Sequence, residues 1–274
     1  MPHTTATVRD VAYADRGATP LQFDLHYATD AGPLPLVLYF HGGGWARGAR
    51  TDAEQARIIP MAAAGFAVAS VSYRLSGTDV WPAQLEDART AFDAVPEIVA
   101  GLGVPLSGRT TVWGSSAGGH IALMLALTAA ERGLPGPAAA VALFPPADLT
   151  RVTTAPLPET TRRPPFVPAD GPLPAFERAL LALDRAADPE SAQREASPVS
   201  HATAAAPPIL LLHGDEDGLI SPWHTARLLR ALREAGAPAT ALYVAGATHE
   251  DPAFDTAVIR AAVAAHLRGE PGDR

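Results

Sequence analysis

The chain has 274 residues, no cysteine and a formal charge of −8, from 21 arginines and no lysine against 29 acidic side chains. Without cysteine there is no disulfide scaffold, thiolate metal site, iron–sulfur cluster or cysteine nucleophile, and without lysine no Schiff-base lysine, P-loop lysine or protein-kinase lysine. The acidic balance speaks against a nucleic-acid partner, whereas 47% hydrophobic and 18% charged residues fit a globular chain rather than a disordered one.

In chain order, the start Met1-Pro2-His3-Thr4-Thr5 has neither the basic nor the apolar region of a secretory signal. A cytoplasmic location is the default expectation, and a mature secreted form would read the same. Thr7 to Tyr13 and Leu21 to Ala28 alternate apolar and polar residues around Asp15-Arg16-Gly17, which predicts an antiparallel edge hairpin. Leu36 to Phe40 is continuously apolar, as in a strand buried on both faces. It runs into His41-Gly42-Gly43-Gly44-Trp45, where consecutive glycines let backbone approach a substrate without Cβ clashes. Phe66 to Val71 and Thr110 to Trp113 repeat the strand pattern.

The second of these strands leads into Gly114-Ser115-Ser116-Ala117-Gly118-Gly119-His120 and then the helical run from Ile121. This is G-x-S-x-G at a strand-to-helix junction, where a strained turn would project the Ser116 hydroxyl at a helix N-terminus. The apolar stretch Ile121 to Ala130, about ten residues, is too short to span a bilayer, so no membrane span is expected. After the strand Ala139 to Phe144, nine prolines fall between Pro145 and Pro174, which precludes a regular helix or a central strand there. Residues 145–200 are expected to form a Pro-rich insertion within a single domain spanning 1–274, either a disordered surface insertion or a lid or cap carrying one short helix from about Phe176 to Ala186.

The strand Ile209 to His213 opens onto the acidic loop Gly214-Asp215-Glu216-Asp217. Ser221-Pro222 starts a helix that Gly236 closes. The strand Ala241 to Val244 leads to His249, and Asp251-Pro252 is expected to open the last helix, with Phe254, Val258, Ala262 and Val263 on one stripe. The whole alternation predicts an α/β fold with a mostly parallel sheet flanked by helices.

A serine hydroxyl needs a base, and the base an orienting acid. Asp217 is the expected acid, with Asp215 and Glu216 as rivals, and His249 is the expected base. His224 and His266 read as surface residues, His201 has no evident role, and His41 and His213 read as structural. No histidine pair has metal-ligand spacing, so neither metal nor cofactor is expected. The amides of Gly43, Gly44 and Ala117 would form an oxyanion hole.

Taken together, His41-Gly-Gly-Gly-Trp45, Ser72-Tyr-Arg-Leu-Ser76, Pro82-Ala-Gln-Leu-Glu-Asp87, Gly114-Ser-Ser-Ala-Gly-Gly119, Ser197-Pro-Val-Ser200 and His213-Gly-Asp-Glu-Asp217 carry a resemblance. The chain resembles the α/β-hydrolase esterases with an HGGG oxyanion motif, the hormone-sensitive-lipase-like group, and within it looks most like bacterial acetyl-esterase and feruloyl-esterase-type enzymes. The resemblance implies an α/β-hydrolase fold, a Ser116–Asp217–His249 triad and oxyanion donors at Gly43, Gly44 and Ala117. It departs at Ser115, where many of the group carry aspartate, at Glu250-Asp251, whose two carboxylates would favour a protonated His249, and in the Pro-rich insertion.

The resulting expectation is a serine hydrolase that cleaves a small-acyl carboxylic ester through an acyl-serine, acting on a small molecule as a monomer or homodimer. Trp45, Trp81, Phe144 and Trp223 are candidates for the pocket wall. The alternatives are a formamidase or amidase of the same fold, a non-hydrolytic tailoring enzyme, and a catalytically silent ligand receptor.

Overall fold

The computed structural model describes residues 2–17, 19–133, 135–150 and 175–270. Its centre is one eight-stranded sheet. The strands are β1 (Thr5–Arg16), β2 (Thr19–Ala28), β3 (Leu34–Phe40), β4 (Ala67–Val71), β5 (Leu106–Ser115), β6 (Ala140–Leu143), β7 (Ile209–Gly214) and β8 (Ala239–Val244), in the order β1-β2-β4-β3-β5-β6-β7-β8. β1 and β2 form the antiparallel edge hairpin and β2 meets β4 antiparallel; from β4 to β8 every neighbouring pair is parallel.

Residues of β4, β6 and β7 are buried along their whole length, because helices cover both faces of the sheet. The helices are α1 (Ile59–Ala62), α2 (Ala83–Gly101), α3 (Ala117–Leu127), α4 (Ala175–Leu180), α5 (Pro189–Glu195), α6 (Trp223–Glu234) and α7 (Ala257–Arg268). One apolar layer joins the sheet to α2, α3 and α6 through Leu38, Ile121, Leu125 and Leu228. The other joins it to α7 through Val37, Val141, Val263 and Leu267. Apart from His120, helix α3 is apolar all round, and it is wholly buried, as a helix enclosed by sheet and neighbours must be. Among the described residues, no helix is long and apolar enough to cross a membrane.

Several sequence expectations need correction. Asp251-Pro252 opens a 3₁₀ turn, Pro252–Asp255, rather than the last helix: Asp251 Oδ1 accepts from the Ala253 amide at 2.9 Å, and extended Thr256 breaks the chain before α7. That break resets the helical phase. Val258 is therefore 77% exposed, and the buried face is Val263, Ala264 and Leu267. The single helix expected over Phe176 to Ala186 stops at Leu180, Ala182 takes a left-handed φ of 47°, and α5 begins after the Asp188 cap, which accepts from Ser191 N at 3.0 Å. The central part of the Pro-rich insertion, 151–174, lies outside the described residues.

His224, expected at the surface, is buried. Its Nδ1 accepts from the amides of Ala147 and Asp148, each at 3.2 Å, so α6 ties down the chain leaving β6. His266 is half-buried, with Nε2 3.2 Å from the Pro208 carbonyl.

Candidate active site

The site lies at the C-terminal ends of the parallel strands, where open α/β sheets place their crevice. Ser116 occupies the single residue between β5 and α3, with φ 51° and ψ −120°, a strained conformation for a residue with a side chain. Close packing forces the glycines around it. A Cβ on Gly114 would sit 2.3 Å from the Gly118 carbonyl oxygen, and one on Gly118 would sit 2.0 Å from that of Phe40. The start of α3 is thus pressed directly onto the ends of β5 and β3. Ser116 N donates to Leu143 O at 2.9 Å and fixes the turn to β6.

His249 arrives from the loop after β8. Its Nε2 lies 3.1 Å from Ser116 Oγ and its Nδ1 2.7 Å from Asp217 Oδ2. Asp217, on the loop after β7, is buried, and its Oδ1 accepts from the amides of Leu219 and Ile220, both at 2.9 Å. His213 Nε2 stands 3.3 Å from Oδ2 and 2.8 Å from Ile220 O, while Thr225 Oγ1 lies 2.7 Å from its Nδ1. Burial would raise the Asp217 pKa, but hydrogen bonds from His213 and His249 outweigh it and hold the carboxyl well below the usual range. With Asp217 ionised, His249 Nδ1–H donates to it and leaves Nε2 free to accept from the Ser116 hydroxyl. A row of this kind can pass a proton from hydroxyl to imidazole while the carboxylate balances the charge.

Gly43, Gly44 and Ala117 come together above Ser116, and among the described residues none of their amides finds an acceptor. Gly43 has φ 111° and Gly44 φ 60°. A Cβ on Gly43 would lie 2.2 Å from Arg47 O, so the loop takes this shape only with glycine there. Its flanks are anchored. Tyr73 Oη donates to His41 O at 2.8 Å, and the Tyr73 ring stacks on that of His41 at 4.4 Å. Trp45 Nε1 donates to His120 Nδ1 at 3.2 Å, which leaves His120 Nε2–H to donate to Ala196 O at 2.7 Å. Burial keeps His120 neutral by lowering its pKa to about 4, so Nδ1 remains an acceptor.

A cavity of about 620 Å³ opens over these groups. Of the four aromatic candidates for its wall, only Trp45 lines it. Phe144 is not part of the lining; its ring packs edge-on against His249 at 4.6 Å and supports the imidazole. Trp81 packs on His120 at 5.0 Å, and Trp223 packs on His224 at 5.3 Å. The wall instead includes Pro146, Phe176, Glu177, Leu219 and Ile220. Tyr39, Arg57, Ser115, Glu250 and Asp255 also line it. Strands β3 and β5, helix α4 and several connecting segments each contribute one or two side chains to this lining, and no spacing in the sequence marks them.

The polar part of this lining is internally bonded. Arg57 Nε donates to Asp255 Oδ1 at 2.6 Å, and Tyr39 Oη lies 3.1 Å from Ser115 Oγ, which in turn lies 3.5 Å from Glu250 Oε1. Of the two carboxylates expected beside His249, only Glu250 faces the cavity, because Asp251 is spent on capping the 3₁₀ turn. Among the described residues no cluster of three or more His, Asp or Glu side chains is placed to hold a metal.

The family model BD-FAE matches residues 23–232. Two proteins of Mycobacterium tuberculosis are each 28% identical to the chain: a probable carboxylic ester hydrolase, LipM, over 82% of this chain and 51% of its own length, and the esterase LipQ, over 93% and 60%. The chain therefore spans about half to three-fifths of these curated relatives. Among solved structures, an esterase from Pyrobaculum calidifontis superposes with a TM-score of 0.75 at 25% identity, covering 98% of this chain and 86% of that one. A truncated carbohydrate esterase from gut microbiota gives 0.80 at 22% identity, covering 98% and 96%; at that identity the likeness speaks to fold. The architecture is that of an α/β-hydrolase.

Proposed function

The chain belongs to the BD-FAE family, and from that premise we propose that it hydrolyses carboxylic esters through an acyl-serine intermediate. The observation that carries this reading is the row Ser116–His249–Asp217, with hydrogen-bond distances of 3.1 and 2.7 Å, in one cavity with three amides that find no acceptor among the described residues. Ser116 is the nucleophile, His249 the general base and Asp217 the orienting acid. As Oγ attacks the ester carbonyl, His249 Nε2 takes its proton and Asp217 stabilises the imidazolium. The carbonyl oxygen, now negative, accepts from the amides of Gly43, Gly44 and Ala117. His249 then protonates the departing alcohol. Water enters by the same route, loses its proton to His249 and releases the acid from Ser116.

The esterase names of the mycobacterial relatives support this chemistry. A short acyl group, such as acetyl, is the acyl part we assign. The support is the Phe176 ring, which closes on Gly44 so tightly that a Cβ there would lie 2.8 Å from it. We take the chain as a single α/β-hydrolase domain in which the described part of the insertion after 174 caps the cavity, since α4 delivers Phe176 to its wall.

Turnover of p-nitrophenyl acetate by the wild type and by Ser116→Ala tests the reading. The variant should lose roughly 10⁵-fold in kcat, and a fluorophosphonate probe should label the wild type alone. Equal rates in the two proteins would sink the proposal.

A further inference from the structure

The ester-cleaving machinery leaves one buried acid in the cavity wall without work. Glu177, on α4, is 5% exposed and lines the cavity, yet its Oε2 has no hydrogen-bond partner among the described residues. Buried polar atoms are seldom left unpaired, because the desolvation cost of the group is then uncompensated. The other acids of the wall are engaged: Asp255 with Arg57, Glu250 beside the Ser115 hydroxyl, and Asp52 with the Ala49 amide at 2.9 Å. Glu177 is also held in place. Its neighbour Phe176 presses on Gly44, and the Arg47 guanidinium lies 5.4 Å over the Phe176 ring.

We propose that Glu177 is a specificity-determining residue that hydrogen-bonds a neutral hydroxyl group of the ester substrate, next to the oxyanion loop. Burial pushes its carboxyl up to about 7, so near neutrality a large fraction is protonated and can both donate and accept, as a hydroxyl does. The protonated carboxyl offers no charge to pair with a cation, and Glu250 and Asp52, which line the same cavity, disfavour an anion. The hydroxyl could belong to the alcohol or to the acyl part; the chemistry of recognition is the same.

The inference rests on the esterase reading, and the test separates the two. Wild type, Glu177→Gln and Glu177→Leu are compared on isosteric ester pairs: 2-hydroxyethyl acetate against propyl acetate for the alcohol part, and ethyl glycolate against ethyl propanoate for the acyl part. In one pair the wild type should favour the hydroxylated ester by about tenfold or more in kcat/KM, since a site built to bond a hydroxyl rejects the analogue lacking it. Glu177→Leu should bring that ratio close to one, and Glu177→Gln, which keeps a neutral donor and acceptor, should retain most of it. The pair that responds identifies the part of the substrate carrying the hydroxyl. A wild type that shows no preference within either pair, or a ratio unmoved in Glu177→Leu, overturns the assignment. So does a preference for 2-aminoethyl acetate that disappears in Glu177→Gln, which would make Glu177 a partner for charge. The esterase reading fails separately, if p-nitrophenyl acetate is turned over equally by the wild type and Ser116→Ala.

Discussion

Asp217 and Asp215 stand two residues apart on one loop, and their surroundings give them different work. Asp215 is half-buried and accepts from the Gly246 amide at 2.6 Å, which ties the loop after β7 to the loop after β8. Asp217 is buried, takes two amides on one oxygen and offers the other to His249. An asparagine at 217 would keep the two amide bonds through its carbonyl but turn an NH₂ toward His249, forcing the tautomer that cannot take the Ser116 proton. Asp217→Asn should therefore lower kcat on p-nitrophenyl acetate by about 10⁴-fold with little change in KM. Asp215→Asn should stay within about tenfold of the wild type, because it disturbs a loop contact and no reacting group. A reversed order of the two effects would reassign the acid. The acidic loop was legible in the sequence as a place, but the choice within it was not: burial and the amides of Leu219 and Ile220 make the distinction, and neither leaves a pattern in the chain.

At the scale of elements, the legible parts were those with a repeated physical demand. Strands β3, β4, β6 and β7 are covered on both faces, so each had to be apolar in nearly every position, and the runs Leu36–Phe40 and Ile209–His213 announced them. The turn at Ser116 was legible because backbone crowding leaves glycine as the only fit at 114 and 118. The cavity wall was opaque for the opposite reason. Aromatic residues were the natural candidates for it, yet Phe144 supports His249 without lining it, while Phe176 and Glu177 come from a segment whose composition shows no periodicity. The turn supplies a sharp test of the packing argument. Gly118→Ala would set a methyl 2.0 Å from the Phe40 carbonyl oxygen, and because both sides of that contact are backbone, α3 must move away from β3. Ser116 and the Ala117 amide would move with it. The variant should lose about 1–3 kcal/mol of stability in urea melts and lose esterase activity in whatever fraction folds. Gly119→Ala, whose nearest contact would be 3.2 Å, should be clearly milder in both measurements.

For the whole molecule, buried titratable groups set opposing dependences of stability on pH. His120 and His224 are enclosed on the α3 and α6 side of the sheet, and burial lowers their pKa values to about 4 and about 3. Below the ordinary histidine value near 6.5 the unfolded chain takes up protons that the folded chain refuses, so stability is full above that pH and is lost as the pH falls toward 4. Asp217 and Asp148 are held below the ordinary carboxylate value and add a second loss at lower pH, under about 4. Glu177 works the other way. Its folded pKa of about 7 exceeds the unfolded value of 4.5, so its contribution is intact below 4.5 and fades as the pH rises through 7, on the order of 3 kcal/mol in all. The melting temperature of the wild type should thus fall steadily from pH 7 to pH 4. Glu177→Gln, which cannot ionise, should melt several degrees above the wild type at pH 8 and level with it at pH 4.5. A gain of equal size at both pH values would mean that the substitution improves packing and that the carboxyl at 177 carries no ionisation cost. A gain confined to high pH would show that the fold tolerates at Glu177 a group that pure stability would have replaced, as binding sites commonly do.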